Sequence, residues 1–152
     1  MAIARGTGTE IIQTVNLTDV DSSAWYYLIS GEQHHIYTVL SVVIHANSVN
    51  AAGNAFKLRI VGWDSKTAAS GTVINLLSQG MNTGETFVFN DKFSMLGRAP
   101  VDWGTGALST VAHHDAIADQ GHASAAQSLQ CQGSHTADQF HVVITYIDQN
   151  NE

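Results

Sequence analysis

The run from Gly31 to Ala46, Gly-Glu-Gln-His-His-Ile-Tyr-Thr-Val-Leu-Ser-Val-Val-Ile-His-Ala, limits the possible fold more than any other stretch of the chain. It is the longest unbroken series of β-favouring residues, and no Gly or Pro follows Gly31 within it. Read with period two, Ile36, Thr38, Leu40, Val42 and Ile44 face one way, while Tyr37, Val39, Ser41, Val43 and His45 face the other. One side is nearly all aliphatic, and the other mixes apolar, hydroxyl and imidazole groups. Such a strand belongs in the middle of a sheet, one face on a core and the other half covered.

The rest of the chain repeats this grammar in shorter pieces. Glu10–Leu17 alternates Ile11, Gln13, Val15 and Leu17 against Ile12, Thr14 and Asn16, and the Asp19–Ser23 stretch reads as a turn. Ala24–Ser30 is a second, aromatic-rich strand, and Phe56, Leu58 and Ile60 alternate with Lys57, Arg59 and Val61 in a fourth that ends at Trp63. Asp64–Gly71 reads as a loop. Thr72–Ser78 does not alternate cleanly, and a strand is favoured there over a short helical turn. Gly84–Asn90, Lys92–Leu96, Gln127–Gln132 and Phe140–Asp148 complete the series. Eight or nine strands at this spacing, with no helical crossover, predict an all-β chain: an antiparallel β-sandwich of jelly-roll type. The expected organisation is an N-terminal arm over residues 1–9, one sandwich domain over 10–148 and a polar tail over 149–152. Gly97–Ala125 interrupts the pattern with the only proline, Pro100, and few large apolar side chains, so it reads as a long excursion from the sandwich.

Charge and composition exclude several functions. Six basic against thirteen acidic residues give a net charge of −7, and Arg5, Lys57, Arg59, Lys66, Lys92 and Arg98 are scattered, with only Lys57 and Arg59 close together. That distribution argues against nucleic acid, whose binding depends on cations neutralising phosphates, and against anionic membranes. The apolar runs fall far short of the ~20 residues that span a bilayer. The opening Met-Ala-Ile-Ala-Arg-Gly lacks a basic region followed by an apolar stretch, so no signal peptide is expected. Charged residues make up 12% of the chain, about half the usual share of roughly 25%, and amides, hydroxyls and glycine replace them.

Candidate chemistry is sparse. Cys131, the single cysteine, sits in an alternating strand pattern and reads as a small buried apolar side chain. Among eight histidines, His34-His35 and His113-His114-Asp115, with His122, are the possible metal ligands. Adjacent strand residues face opposite ways, so His34 and His35 cannot serve one ion together, and the loop spacing matches no zinc pattern. No metal and no cofactor is expected. Glu32, Glu85, Asp91 and Asp102 supply no convincing acid–base pair, and no nucleophile elbow, phosphate loop or dinucleotide fingerprint occurs, so the chain reads as a non-enzyme. Trp25, Tyr26, Tyr27, Trp63 and Trp103 invite a sugar-stacking platform, but aromatics on strands ordinarily fill a core. Trp103, in the excursion, is least explained by a core and reads as an interface anchor; its truncation to Ala is expected to weaken a subunit contact. The partner-binding residues are accordingly placed on the arm, at Ile3, Arg5 and Thr7, and on the excursion, at Trp103, Leu108, His113 and His114.

Three segments carry a resemblance: Gly31–Ser48, Gly84–Gly97 (with Gly-Glu-Thr-Phe-Val-Phe-Asn-Asp-Lys-Phe-Ser-Met-Leu) and Leu129–Ile147. A Gly-led strand with an aliphatic run and an Asn/Ser loop is followed by a Gly-Glu-Thr-Phe strand and a closing Val-rich strand. The chain thereby resembles the small β-sandwich virion proteins of tailed bacteriophages, over about half its length and with Gly97–Ala125 as a departure. The resemblance implies a structural role on the virion. Capsid decoration or cementing, with a major capsid protein as partner, is its first form, and a tail or receptor- or carbohydrate-binding module is the alternative. Closed homo-oligomers are the general expectation, and a homotrimer suits three-fold lattice sites.

Overall fold

The computed structural model describes residues 8–64, 66–67, 69–97 and 126–150, with the side chain of Ser70 left aside. Nine strands run through them: β1 (Glu10–Val20), β2 (Tyr26–Ser30), β3 (His35–Ser48), β4 (Asn54–Asp64), β5 (Ala69–Met81), β6 (Thr86–Phe89), β7 (Phe93–Leu96), β8 (Ser128–Gln132) and β9 (Gln139–Asn150). One sheet has the order β1-β9-β3-β6, with β7 also paired to β3, and the second has the order β2-β8-β4-β5. Every pairing is antiparallel. β6 and β7 lie end to end on the same edge of β3, against Val42–His45 and Ile36–Val39 respectively. Counted as one interrupted strand, they leave eight strands in two interlocked Greek keys. The fold is a jelly roll.

The inner faces meet in a core of Val39, Val42 and Ile44 from β3, Phe140, Val142 and Ile144 from β9, and Phe56, Leu58, Leu129 and Cys131 from the facing sheet. Phe56 and Phe140 meet edge to face across the layers at 5.7 Å. β9 alternates as its sequence requires, with Phe140, Val142, Ile144 and Tyr146 inward. β3 departs from strict alternation. Val39 is opposite Tyr146 and Ser41 opposite Thr145, so two steps of β3 match one of β9 and Leu40 is the extra residue of a bulge. The phase therefore flips: Tyr37 and Val39 are buried on the same side as Val42, Ile44 and Ala46, whereas Ile36 and Thr38 turn outward. A period-two reading carried through Leu40 assigns the first half of this strand to the wrong faces.

A second bulge explains the irregular stretch in β5. Leu58 pairs with Leu77 and Arg59 with Asn75, leaving Leu76 as the extra residue. The strand is also longer than its pattern suggests, because the loop before it is a tight turn in which Asp64 accepts hydrogen bonds from the Lys66 N–H and the Thr67 hydroxyl. At the other chain end, β9 continues through Gln149 and Asn150, beyond the point where the polar tail was expected to begin. Asn150 exchanges backbone hydrogen bonds with Gly8 and Thr9, which ties the root of the arm to the last strand.

The two ends of the sandwich differ. One is closed by short turns, 21–25, 49–53, 82–85 and 133–138, and Asp138 joins two of them by accepting from the Asn50 N–H at 3.0 Å, the Asn54 amide at 2.8 Å and the His135 N–H at 2.8 Å. The other end carries the start of β1, the end of β9, the 31–34 turn and the points where the chain leaves β7 and enters β8.

Candidate assembly surface

The end where β1 starts and β9 finishes is built around His35, the first residue of β3. Its imidazole Nδ1 lies 2.6 Å from the Asp148 carboxylate, and Glu32 stands 3.8 Å from the other ring nitrogen. Asp148 points inward because β9 keeps its alternation to the end, so the core finishes in polar rather than aliphatic groups. The Tyr146 hydroxyl donates to Gln13 at 2.8 Å, and the Glu32 N–H donates to the Tyr37 hydroxyl at 3.1 Å. Burial, above all, pushes the Tyr37 phenol up to about 12, so it stays protonated at any physiological pH. These contacts make a hydrogen-bonded polar plug at this end of the core.

The chain segments at this end converge. The Gly97 N–H donates to the His35 carbonyl at 2.8 Å, the Gln127 N–H to the Gly97 carbonyl at 3.0 Å, and the Gly31 N–H to the Gln127 carbonyl at 2.9 Å. Only glycine allows the approach: a Cβ on Gly31 would overlap the carbonyl oxygens of Gly97 and Gln127, and one on Gly97 would overlap the Glu32 carbonyl. Because His35 also pairs with Asn150, and Asn150 with Gly8 and Thr9, the arm, the chain end and both ends of the excursion all root within a few residues of His35.

The flat sides of the sandwich differ in charge. On the β1-β9-β3-β6 sheet the outward rows are Ile12, Ile147, Thr38 and Ser94, then Asn16, Val143, Val43 and Val88. Between Glu10 and Asp19, at the two extremes of β1, no Asp, Glu, Lys or Arg occupies an outward position in register with those rows. On the other sheet, Tyr27, Gln130, Arg59 and Asn75 form a row across all four strands. Arg59 lies over the Trp25 ring, 3.5 Å from its centroid, and donates through Nε and Nη2 to the Gln130 side-chain oxygen at 3.0 and 2.8 Å. Gln130 in turn donates to Ser128 at 3.0 Å.

The partner-binding residues expected from sequence, Ile3, Arg5, Thr7, Trp103, Leu108, His113 and His114, lie outside the described residues, as do Asp102, Asp115 and His122. His34 lies outside β3, in the 31–34 turn with φ of 64°, so strand alternation does not apply to it, and His35 is engaged with Asp148. Among the described residues no cluster of three or more His, Cys, Asp or Glu is arranged to hold a metal ion. Cys131 is buried in the core, and burial pushes its thiol up to about 12. The aromatics divide: Tyr26 is tied through its hydroxyl to Asp21, Trp63 borders a hollow with Ile60, Ile74 and Gln127, and Trp25 and Tyr27 frame Arg59.

No protein-family model and no curated protein matches the chain. Among solved structures, a subunit of Bacillus endospore appendages, described as a novel family of disulfide-linked pili, aligns with 100% of this chain and 97% of its own, at 11% identity and a TM-score of 0.42. Subunits of infectious bursal disease virus, from its T13 particle and from derived T=1 particles, align with 99% of this chain at 7% identity and a TM-score of 0.40. This chain spans only 37% and 38% of those viral subunits. The jelly-roll assignment stands on the strand order itself, independently of these likenesses.

The Arg59 cluster was not singled out from sequence, yet its signal was there. Lys57 and Arg59 are two apart on a strand, which places both cations on one face. The missing element was the neighbourhood: Trp25 and Gln130 come from distant parts of the chain.

Proposed function

We propose that this chain is a non-enzymatic structural protein of a virion: a decoration or cementing protein on the capsid surface of a tailed bacteriophage, acting as a homotrimer that grips neighbouring major capsid subunits. The observation that carries the reading is the common root. The arm and the excursion, the two segments with least to contribute to a core, both leave the sandwich beside His35, above a hydrogen-bonded plug. A sandwich with the roots of both segments at one end is suited to docking on a lattice and reaching across it. The opposite end, closed by turns around Asp138, is suited to facing outward.

Deleting Met1–Thr9 should leave the sandwich folded, since β1 begins at Glu10, and weaken attachment to the particle. Full particle occupancy by the truncated protein would overturn the proposal.

A further inference from the structure

We infer that the outer face of the β2-β8-β4-β5 sheet, centred on Arg59, docks a carboxylate-bearing surface of a second copy of this chain. This rests on the self-assembling reading above and deepens it by naming the face. Among the described residues every ion pair involves histidine, so neither Arg59 nor Lys57 is paired with a carboxylate there, in a chain of net charge −7. No Asp or Glu occupies an outward position in register with the Arg59 and Lys57 rows. The guanidinium is nonetheless held over the Trp25 ring and bonded twice to a single oxygen of the buried Gln130. Two of its five N–H groups are used, and the others are left for an acceptor from outside.

A guanidinium constrained in this way has already lost the side-chain entropy that usually offsets an ion pair, and it matches carboxylate geometry in a bidentate fork. Tyr27, next but one in the same row, is 59% exposed. Tyr, Trp and Arg together are the composition of protein-interface hot spots. A saccharide is the weaker fit, because Arg59 already covers one face of the Trp25 ring. The acidic partner most directly implied is the chain itself, with thirteen acidic residues against six basic ones. A cationic face meeting an acidic surface is a heterologous contact, the kind that closes into a ring such as a trimer.

Sedimentation equilibrium of the full chain, at low and at high salt, tests this. The wild-type protein should self-associate and do so more weakly as salt is raised. Arg59→Gln and Tyr27→Ala should each raise the dissociation constant about tenfold or more. Tyr27→Ala keeps the test valid if Arg59→Gln perturbs folding, because the Tyr27 ring is mostly in solvent. An oligomer unchanged by both variants would overturn the assignment of this face while leaving self-assembly standing. A wild-type protein that stays monomeric at every concentration would overturn both.

Discussion

The backbone N–H of Gln127 donates to the carbonyl of Gly97 at 3.0 Å, so the chain leaves the sandwich and returns to it at one point. The excursion is therefore tied off at its neck. Excising residues 98–125 and joining the ends with a few Gly and Ser residues should leave the sandwich folded, since loop closure changes only slowly with length. Thermal unfolding by circular dichroism should give a cooperative transition within a few degrees of the parent, and loss of that transition would show the neck to be insufficient.

The neck itself is sterically exacting. Gly31→Ala places a methyl group against two backbone carbonyls that cannot swing aside, and the cost should be about 2–4 kcal/mol. Ala substitution at Gly53, where no atom lies near the added Cβ but φ is +81°, should cost only about 1 kcal/mol. Denaturant titration of the two variants checks the order.

Much of this fold was legible from the chain alone, and what was missed has identifiable causes. Strand β9 could be read residue by residue because it runs twelve residues without a bulge. β3 could not, although its pattern was the strongest, because the extra residue at Leu40 looks like any other member of an aliphatic run. In β5 the doublet Leu76-Leu77 was visible as a broken pattern, but only pairing with β4 shows it to be a bulge rather than a turn of helix. The site divides in the same way. Lys57 and Arg59 could be placed on one face by spacing, whereas the convergence of Gly8, Gly31, Gly97 and Gln127 depends on long-range pairing that no local signal encodes.

Asp138 links folding to acid. Burial raises its pKa, but hydrogen bonds from Asn54, Asn50, His135 and Ser134 outweigh that and hold it below the ordinary carboxylate range. A lowered folded-state pKa means that the stabilisation is complete above the unfolded value, about 3.9, and is lost as pH falls through the folded value. Stability should therefore fall steeply below about pH 4. Asp138→Ala, which leaves the two turns with unpaired donors, should cost about 1–3 kcal/mol and flatten that fall. Urea unfolding across pH 2.5–7 (an approximate window set by the same carboxylate range) measures both effects.

Cys131 serves as a reporter of the core. With its thiol buried and pushed up to about 12, almost none is thiolate at neutral pH, so a disulfide-exchange reagent should leave the native protein unlabelled and react fully in denaturant. Rapid labelling under native conditions would show that the sheets separate around β8.

On the proposed function, the end beside His35, where the arm and the excursion take root, is the end that grips the lattice. The decisive measurement is a cryo-electron-microscopy map of particles carrying this protein. The prediction is a three-fold jelly-roll density with the His35–Asp148 end against the capsid shell and the Asp138 turns pointing outward. Density with the Asp138 end against the shell, or particles without this chain, would contradict it.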